Sequence, residues 1–329
     1  MRKRFGRVAA VAVGAMVAVS AAACSSGGGT TEKTPGEQSE DKGAVTEEAG
    51  GEYTVALLVS TLNNPFFVDL KDGAQEAADA AGVKLEVSDA QNDSITQANQ
   101  AQDAVSKGYD AVLINPVDSD AAGAMVADLL EAGIPVISVD RTVEGAEVDS
   151  HVASNNVQGG EQAAEALAAA MGDAGEALVL QGVPGTSASR DRGEGFETGI
   201  AAFSDITVVA KQTANFDRGE GLDVTTNLLQ ANPGVTGIFA ENDEMALGAI
   251  QALGDRAGTE VMVFGFDGTE DALKAIVEGT LVGTIAQQPK LLGATAVETA
   301  IAILNGDAVD KVIDVPVTTV TKENVADFQ

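Results

Sequence analysis

The chain has 329 residues, 45% of them hydrophobic, and a formal net charge of −31 at pH 7. This length exceeds one typical domain, so two lobes are the expected organisation. The strong negative charge would repel phosphates and argues against a nucleic-acid partner. The sequence holds no G-x-x-x-x-G-K-[ST] phosphate loop and no cluster of Cys and His, so we expect no metal and no cofactor.

The amino terminus has the plan of a secretory signal. Four basic residues occur within the first seven positions, and an apolar run at 8–19, too short to span a membrane, follows them. Three alanines then precede Cys24, the only cysteine, which resembles the lipobox of bacterial lipoproteins. In that case residues 1–23 are removed and Cys24 becomes a lipidated first residue. The alternative is an ordinary signal that leaves a free thiol, which is a liability in an exported protein.

Residues 24–51 are rich in Ser, Gly, Thr, Glu and Pro and contain almost no apolar side chains. This composition predicts a disordered tether. Together with Cys24, it predicts an extracytoplasmic protein anchored to the cell membrane by lipid.

From residue 53 onward, apolar strand-like runs alternate with Ala-rich helical patterns. Strands are predicted at 53–59, 83–88, 111–115, 135–139, 177–181, 207–211, 237–240, 261–266 and 282–286. Helices are predicted between most of them, for example at 94–107, 159–171, 188–203 and 243–253. This alternation predicts an α/β fold with parallel sheets and right-handed crossovers. The short extended stretch at 150–156 is interpreted as a crossing between two lobes.

The stretch STLNNPFF at 60–67 follows the first predicted strand, at the sheet edge where ligands of open α/β folds bind. Asn64 is placed to cap a helix that has Pro65 at its first position. Phe66 and Phe67 point about 100° apart on a helix, so we expect that they cannot both face one core. Either one ring is core and the other partly covered, or both rings clamp a ligand beside Ser60 and Asn64.

Further polar residues follow other predicted strands, in both halves of the chain. They are Asp140, Arg141, Arg190, Arg192, Asn242, Asp267 and Gln287. Taken singly, each has a structural alternative as a surface turn, a solvated first helical turn, a helix cap or a bridge at a crossing. Their recurrence at strand ends predicts one shared ligand site.

The chemistry of this set favours a neutral polyol. Asp supplies acceptors only and Arg donors only, whereas Asn, Gln and Ser supply both, and a sugar hydroxyl needs this mixture. Aromatic rings suit the C–H faces of a sugar. Two Asp against Arg141 and Arg192 sum to zero charge, which disfavours a phosphate or a dicarboxylate. No nucleophile, base and oxyanion arrangement is present, so we do not expect an enzyme.

Seven motifs closely resemble the sugar receptors of bacterial ABC importers in the type I periplasmic binding protein family. They are STLNNPFF (60–67), SVDRT (138–142), GTSASRDRGEGF (185–196), NFDR (215–218), ENDEMALG (241–248), GFDGT (265–269) and TIAQQP (284–289). The likeness runs in order from about residue 53 to about residue 320. The departures are the Cys24 tether and a more acidic surface, which leave open how the chain docks on a permease.

The resemblance implies two Rossmann-like lobes joined by a three-crossing hinge, with residues 52–154 plus 287–315 in one lobe and 155–286 plus 316–329 in the other. It implies a monosaccharide ligand, with D-ribose foremost, an ABC permease as partner and a monomeric state. The ring would lie between Phe66 and Phe67 of one lobe and Phe216 of the other. Its hydroxyls would be held by Ser60, Asn64, Asp140, Arg141, Arg192, Asn242, Asp267 and Gln287. The alternative is a receptor of this fold for another small polyol or a furanose. A repressor of similar fold would need an amino-terminal pair of DNA-binding helices, where this chain has a signal and an acidic tether.

Overall fold

The structure is a computed structural model that describes residues 53–328. The predicted signal at 1–23, Cys24 and the tether at 24–51 lie outside the described residues. In the described part, no helix combines the length and the apolar character needed to cross a membrane.

Strands and helices alternate along the described chain. The strands are β1 (Thr54–Val59), β2 (Lys84–Asp89), β3 (Ala111–Ile114), β4 (Val136–Val139), β5 (Ser150–Ser154), β6 (Gly175–Gln181), β7 (Ile206–Thr213), β8 (Val235–Ala240), β9 (Met262–Asp267), β10 (Gly283–Ala286), β11 (Val312–Val315) and β12 (Thr318–Thr321). The helices are α1 (Pro65–Ala81), α2 (Ser94–Lys107), α3 (Gly123–Glu131), α4 (Asn156–Met171), α5 (Ser187–Ile200), α6 (Arg218–Ala231), α7 (Asp243–Leu253), α8 (Glu270–Glu278) and α9 (Pro289–Leu304).

The strands form two six-stranded sheets with corresponding strand orders. The order is β11-β5-β4-β3-β1-β2 in the first sheet and β12-β10-β9-β8-β6-β7 in the second. The central strands β1, β3 and β4 are almost wholly buried, because helices cover both faces of a parallel sheet. The nine apolar runs predicted from the sequence correspond to strands β1 to β4 and β6 to β10, so the α/β class is confirmed.

Three segments of chain pass from one sheet to the other. The first joins β5 to α4, which packs on β8, β9 and β10, and the second joins β10 to α9, which packs on β3, β4 and β5. The third is the short link between β11 and β12. We therefore distinguish lobe A, formed by the first sheet with α1, α2, α3 and α9, from lobe B, formed by the second sheet with α4 to α8. The predicted residue limits of the lobes stay a prediction, since residues 52 and 329 are not described.

Three expectations need correction. The stretch at 150–156, interpreted as a crossing, is mostly strand β5, which pairs with β4 and β11 inside the first sheet, and the crossing itself lies only at the end of the stretch, between β5 and α4. The strand was not predicted because its Ser and His side chains interrupt the apolar pattern, and main-chain hydrogen bonds hold it in place. The edge strands β11 and β12 were not predicted, because their four-residue sequences, VIDV and TTVT, are too short and too polar to form an apolar run. Finally, β12 runs antiparallel to β10, so the second sheet is mixed rather than parallel.

Candidate ligand-binding site

A cavity lies between the two lobes. Its lining residues are Asn64, Phe66, Phe67, Asp140, Arg141, Ala188, Arg192, Phe216, Asn242 and Asp267. Nine of these were predicted from the sequence, and they come from both lobes. The other two predicted residues, Ser60 and Gln287, are buried, and Gln287 donates a hydrogen bond to the lining residue Asp267. Whether each residue touches a ligand stays a prediction.

The start of α1 sets the aromatic wall of lobe A. Asn64 caps this helix by accepting a hydrogen bond of 3.0 Å from the Phe66 amide, and Pro65 occupies the first helical position, as predicted. Phe66 and Phe67 meet edge to face with their ring centroids 5.2 Å apart. The expectation that they cannot share one core is wrong, because their exposures are only 4% and 3% and both belong to the core of lobe A. Edge-to-face contact lets two diverging rings pack together while both still line the cavity.

Arg141 enters the cavity from the loop after β4. Its guanidinium lies 5.3 Å from the Phe67 ring centroid and 5.7 Å from that of Phe216, so it touches rings of both lobes. Its Nη1 donates to the Pro116 carbonyl oxygen at 2.9 Å. Burial lowers the pKa of Arg141 to about 10, with Asp140 opposing that effect, so the side chain stays charged at neutral pH.

Asn115, which sequence reasoning missed, holds Asp140 in place. Its Nδ2 donates to Asp140 Oδ2 at 3.1 Å, and its Oδ1 accepts from the Ser60 amide at 3.3 Å. Asp140 Oδ1 is left without a hydrogen-bond partner in the described part of the chain. A polar residue directly after the buried strand β3 was the signal available in the sequence. It was absorbed into the predicted strand at 111–115.

Arg192 is the counterpart in lobe B and is held from several sides. Its Nε donates to Asn156 Oδ1 at 2.8 Å, and its Nη1 donates to the Glu241 carbonyl oxygen at 2.7 Å. The guanidinium stacks over Phe266 at 3.9 Å from the ring centroid. By contrast, Arg190 is 47% exposed and pairs with surface carboxylates, so its structural alternative as a solvated first turn holds.

Asp267 lies 3.6 Å from Arg192 and accepts a hydrogen bond of 2.7 Å from Gln287 Nε2. Burial raises the pKa of Asp267 well above its usual value, while the charge of Arg192 acts in the opposite direction. The turn that follows Asp267 is fixed by Asp243, which accepts from the amides of Gly268 and Thr269 at 2.8 Å each. Burial also raises the pKa of Asp243.

Asn242 and Phe216 complete the wall of lobe B. Asn242 caps α7 by accepting from the Met245 amide at 3.0 Å, so its structural alternative as a helix cap is confirmed, and it lines the cavity as well. Its Nδ2 donates to the Phe216 carbonyl oxygen at 3.4 Å. Phe216 has φ of +58°, and its ring lies so close to Gly182 that a β-carbon there would be 2.0 Å from Cζ. Gly182 is therefore required for this ring position.

Glu241 is a second group that sequence reasoning missed. It is fully buried behind Arg192, and its Oε2 accepts hydrogen bonds from Ser189 Oγ and, at 2.7 Å, from the Gly182 amide. Burial raises the pKa of Glu241 to about 7. The sequence feature that could have identified Glu241 was its position directly after β8, beside the predicted Asn242.

Several buried polar atoms have no hydrogen-bond partner among the described residues. Those of predicted site residues are Ser60 Oγ, Asp140 Oδ1, Arg141 Nε and Gln287 Oε1. Buried polar atoms in proteins are nearly always paired, so such a group indicates a missing partner. The set contains donors and acceptors, lies beside aromatic rings and includes two Asp against two Arg. Such a site suits a neutral ligand with several hydroxyl groups.

Two sheets with corresponding strand orders, three crossings and a polar, aromatic-walled cavity between lobes define a solute-binding protein of the two-lobed kind. A family model described as periplasmic binding protein domain matches residues 55–308, and the chain belongs to this family.

The relatives agree with this assignment. The chain is 48% identical over 279 residues to the ribose import binding protein of Escherichia coli (strain K12), covering 85% of this chain and 94% of that protein. It is 46% identical over 272 residues to the protein of the same name from Bacillus subtilis (strain 168), covering 83% and 88%. Among solved structures, an ABC transporter solute-binding protein from Actinobacillus succinogenes 130z with bound D-allose matches with a TM-score of 0.79 at 34% identity, covering 84% of this chain and 99% of that one.

Proposed function

We propose that this chain binds D-ribose, or a close monosaccharide, in the cavity between its lobes and delivers it to an ABC permease. The observation that carries this proposal is the cavity between the lobes, in which two Asp–Arg pairs of zero net charge meet aromatic rings from both lobes. Sugar hydroxyls would supply the partners that the buried polar atoms lack, and the rings would cover the C–H faces of the sugar.

The names of the relatives support ribose as the ligand. Proteins at 46% to 48% identity are ribose import binding proteins, whereas a xylitol-binding protein of Mycolicibacterium smegmatis is 34% identical. Another small polyol or a furanose is the second candidate, because solved relatives hold myo-inositol and L-arabinofuranose. The lower identity of these relatives favours ribose.

We also propose where the chain is located and in which oligomeric state it acts. Periplasmic binding proteins of ABC importers are extracytoplasmic, and we place this chain there, anchored through lipid on Cys24. The lipobox-like alanines before Cys24 support the anchor. We propose a monomer, since both half-sites come from one chain, and no enzymatic activity, since the relatives are named as binding proteins.

Calorimetric titration with a ligand panel tests the proposal. The panel contains D-ribose, D-allose, D-arabinose, xylitol, myo-inositol and D-ribose 5-phosphate. We expect D-ribose to bind most tightly and to be recovered chemically unchanged. The phosphate ester should not bind, because the site has no net positive charge to offset two further negative charges. Tighter binding of any other member, or conversion of the sugar, would contradict the proposal.

A further inference from the structure

The two lobes also contact each other at the rim of the cleft, outside the cavity. Ser119 lies between β3 and α3 of lobe A, and Ser187 is the first residue of α5 in lobe B. The Ser119 amide donates to the Gly185 carbonyl oxygen at 3.0 Å, and the Ser187 amide donates to Ser119 Oγ at 3.1 Å. The Thr142 amide of lobe A donates to Ser187 Oγ at 2.9 Å. We call Ser119 and Ser187 the serine clasp.

The serine clasp is buried and closely packed. Ser119 is 0% exposed and Ser187 is 2% exposed, and neither lines the cavity. A β-carbon placed on Gly185, which has φ of +85°, would lie 2.9 Å from Asp118 Oδ2 across the interface. Hydrogen bonds shielded from water in this way are stronger electrostatically than exposed ones.

The position of the clasp links the two half-sites. Thr142 directly follows Arg141, which lines the cavity from lobe A. The helix that begins at Ser187 carries Ala188 and Arg192, which line the cavity from lobe B. The clasp thus ties the loop that holds one ligand-facing arginine to the helix that holds the other.

An ion pair at the same rim has a different character. Arg190 Nη2 lies 3.1 Å from Glu144 Oε1, but the two side chains are about half exposed. Exposed pairs contribute little, because water and salt screen them. The buried serines are therefore the dominant contacts across this rim.

We infer that Ser119 and Ser187 are positioning residues for ligand binding, which hold the two half-sites together in the closed form and set the residence time of the ligand. This inference rests on the proposed function for its ligand. The hydrogen bonds of the serine clasp join the two lobes. In an open form both serine hydroxyls are hydrated by water, so removal of a hydroxyl weakens the closed form alone. Ligand enters the open form, so the association rate is unaffected while dissociation becomes faster.

Stopped-flow kinetics with D-ribose on the full mature chain test this inference. Ser119→Ala and Ser187→Ala should each raise the dissociation rate about three- to tenfold, the range expected for one buried neutral hydrogen bond. The association rate, the ratio of affinities for D-ribose and D-arabinose, and the melting temperature of the empty protein should stay at the parent's values. Ser204→Ala, at an exposed serine before β7, is the matched control and should change nothing.

A dissociation rate equal to that of the Ser204→Ala control in both clasp variants would overturn the inference. So would a changed ribose-to-arabinose ratio, which would make the serines part of the ligand contact surface. If the parent does not bind D-ribose, the proposed function fails separately. The same rates are then measured with the tightest-binding member of the ligand panel, and the same results are required.

Discussion

Asp140 and Asp267 occupy corresponding positions in the two lobes. Asp140 directly follows β4 and Asp267 ends β9, and these strands hold the same place in the order of their sheets. Both have positive φ, of 66° and 135°, a backbone conformation that costs on the order of 1–3 kcal/mol. Each lies near a guanidinium, that of Arg141 at 3.8 Å and that of Arg192 at 3.6 Å. Each lobe therefore supplies one strained Asp–Arg pair, and the cavity needs both.

Arg141→Ala is expected to weaken D-ribose binding by roughly one to two decades, because hydrogen bonds to charged groups contribute roughly 1.5–3 kcal/mol each. Arg141→Lys should restore little of this loss, since an ammonium cannot reproduce the planar fork of donors. The melting temperature of the empty protein should change little, because Arg141 would face water in an open form. Calorimetric titrations and thermal melts without ligand measure these effects.

The matched control for Arg141 is Arg256→Ala, which removes a partly exposed arginine 3.0 Å from Glu260. It should bind D-ribose like the parent. Normal binding by Arg141→Ala, or a large fall in its melting temperature when empty, would make Arg141 a structural residue.

Phe66 is expected to stabilise the bound sugar through its ring face rather than by selecting among epimers. Phe66→Ala would also leave a hole in the core of lobe A and destabilise the fold by roughly 3–5 kcal/mol. Phe66→Leu keeps the core filled and removes only the ring. We expect it to weaken D-ribose and D-arabinose by similar factors, as calorimetry with both sugars would measure. Phe328→Ala, at an exposed ring, is the control, and an altered sugar ratio in Phe66→Leu argues against a stacking role.

Ligand binding is expected to be coupled to closure of the lobes, because the cavity residues come from both and neither lobe encloses a ring alone. Closure excludes water and strengthens the hydrogen bonds to the ligand. Small-angle scattering should show a smaller radius of gyration at saturating D-ribose than in the empty protein. The same radius in both states, with binding confirmed by calorimetry, would count against coupling.

Glu241 is expected to make the fold more stable at acid than at alkaline pH. Its pKa in the folded protein is about 7, above the ordinary value of 4.5, so folding favours the protonated acid. The resulting contribution is complete below the ordinary pKa and is lost as pH rises through the folded one. Glu241→Gln removes this dependence. Its free energy of unfolding, relative to the parent, should rise by roughly 2 kcal/mol between about pH 5 and about pH 8.

Denaturant unfolding of both proteins at the two pH values measures this difference. Glu278→Gln, at an exposed glutamate near the end of α8, is the control and should give no such change. A constant difference between Glu241→Gln and the parent across this range would show that Glu241 is ionised throughout.

Cys24 is expected to be the first residue of the mature protein and to carry lipid. Mass analysis of protein taken from the membrane fraction should give the mass of a chain beginning at Cys24 plus acyl groups. Cys24→Ala should abolish the modification and release the protein in soluble form. An unmodified thiol, or a mature chain beginning elsewhere, would refute the anchor.

Much of the fold could be predicted from the sequence, because its signals are local. The limits of α2 and α7 agree with prediction, since Asp93 and Asn242 cap these helices with their own side chains. The strands β11 and β12 could not be predicted, because pairing with distant strands rather than an apolar run holds them in the sheets. A single sequence does not show such partners.

The same difference between local signals and distant contacts applies to the residues of the site. Residues that line the cavity carry chemistry that stands out at strand ends, as with Asp140 and Asp267. Residues that support them do not stand out, because Asn115 and Glu241 act through atoms distant in the chain. The difference between Arg190 and Arg192 also depends on three dimensions. Two residues apart on α5, they lie about 200° apart around its axis, so that one faces solvent and the other is buried.

The last two strands of the described chain complete the edges of two different sheets, which constrains how the chain can fold. The first sheet lacks its edge until β11 is available, and the second lacks its edge until β12 is, although these strands are only two residues apart. The Tyr53 hydroxyl donates to the Leu304 carbonyl oxygen across 251 positions, which joins the beginning of lobe A to the end of α9. Contacts so distant in sequence form slowly, because long loops must close first. Neither lobe can therefore be completed until nearly the whole polypeptide has been made, so a chain crossing a membrane as it emerges would still be unfinished in its fold.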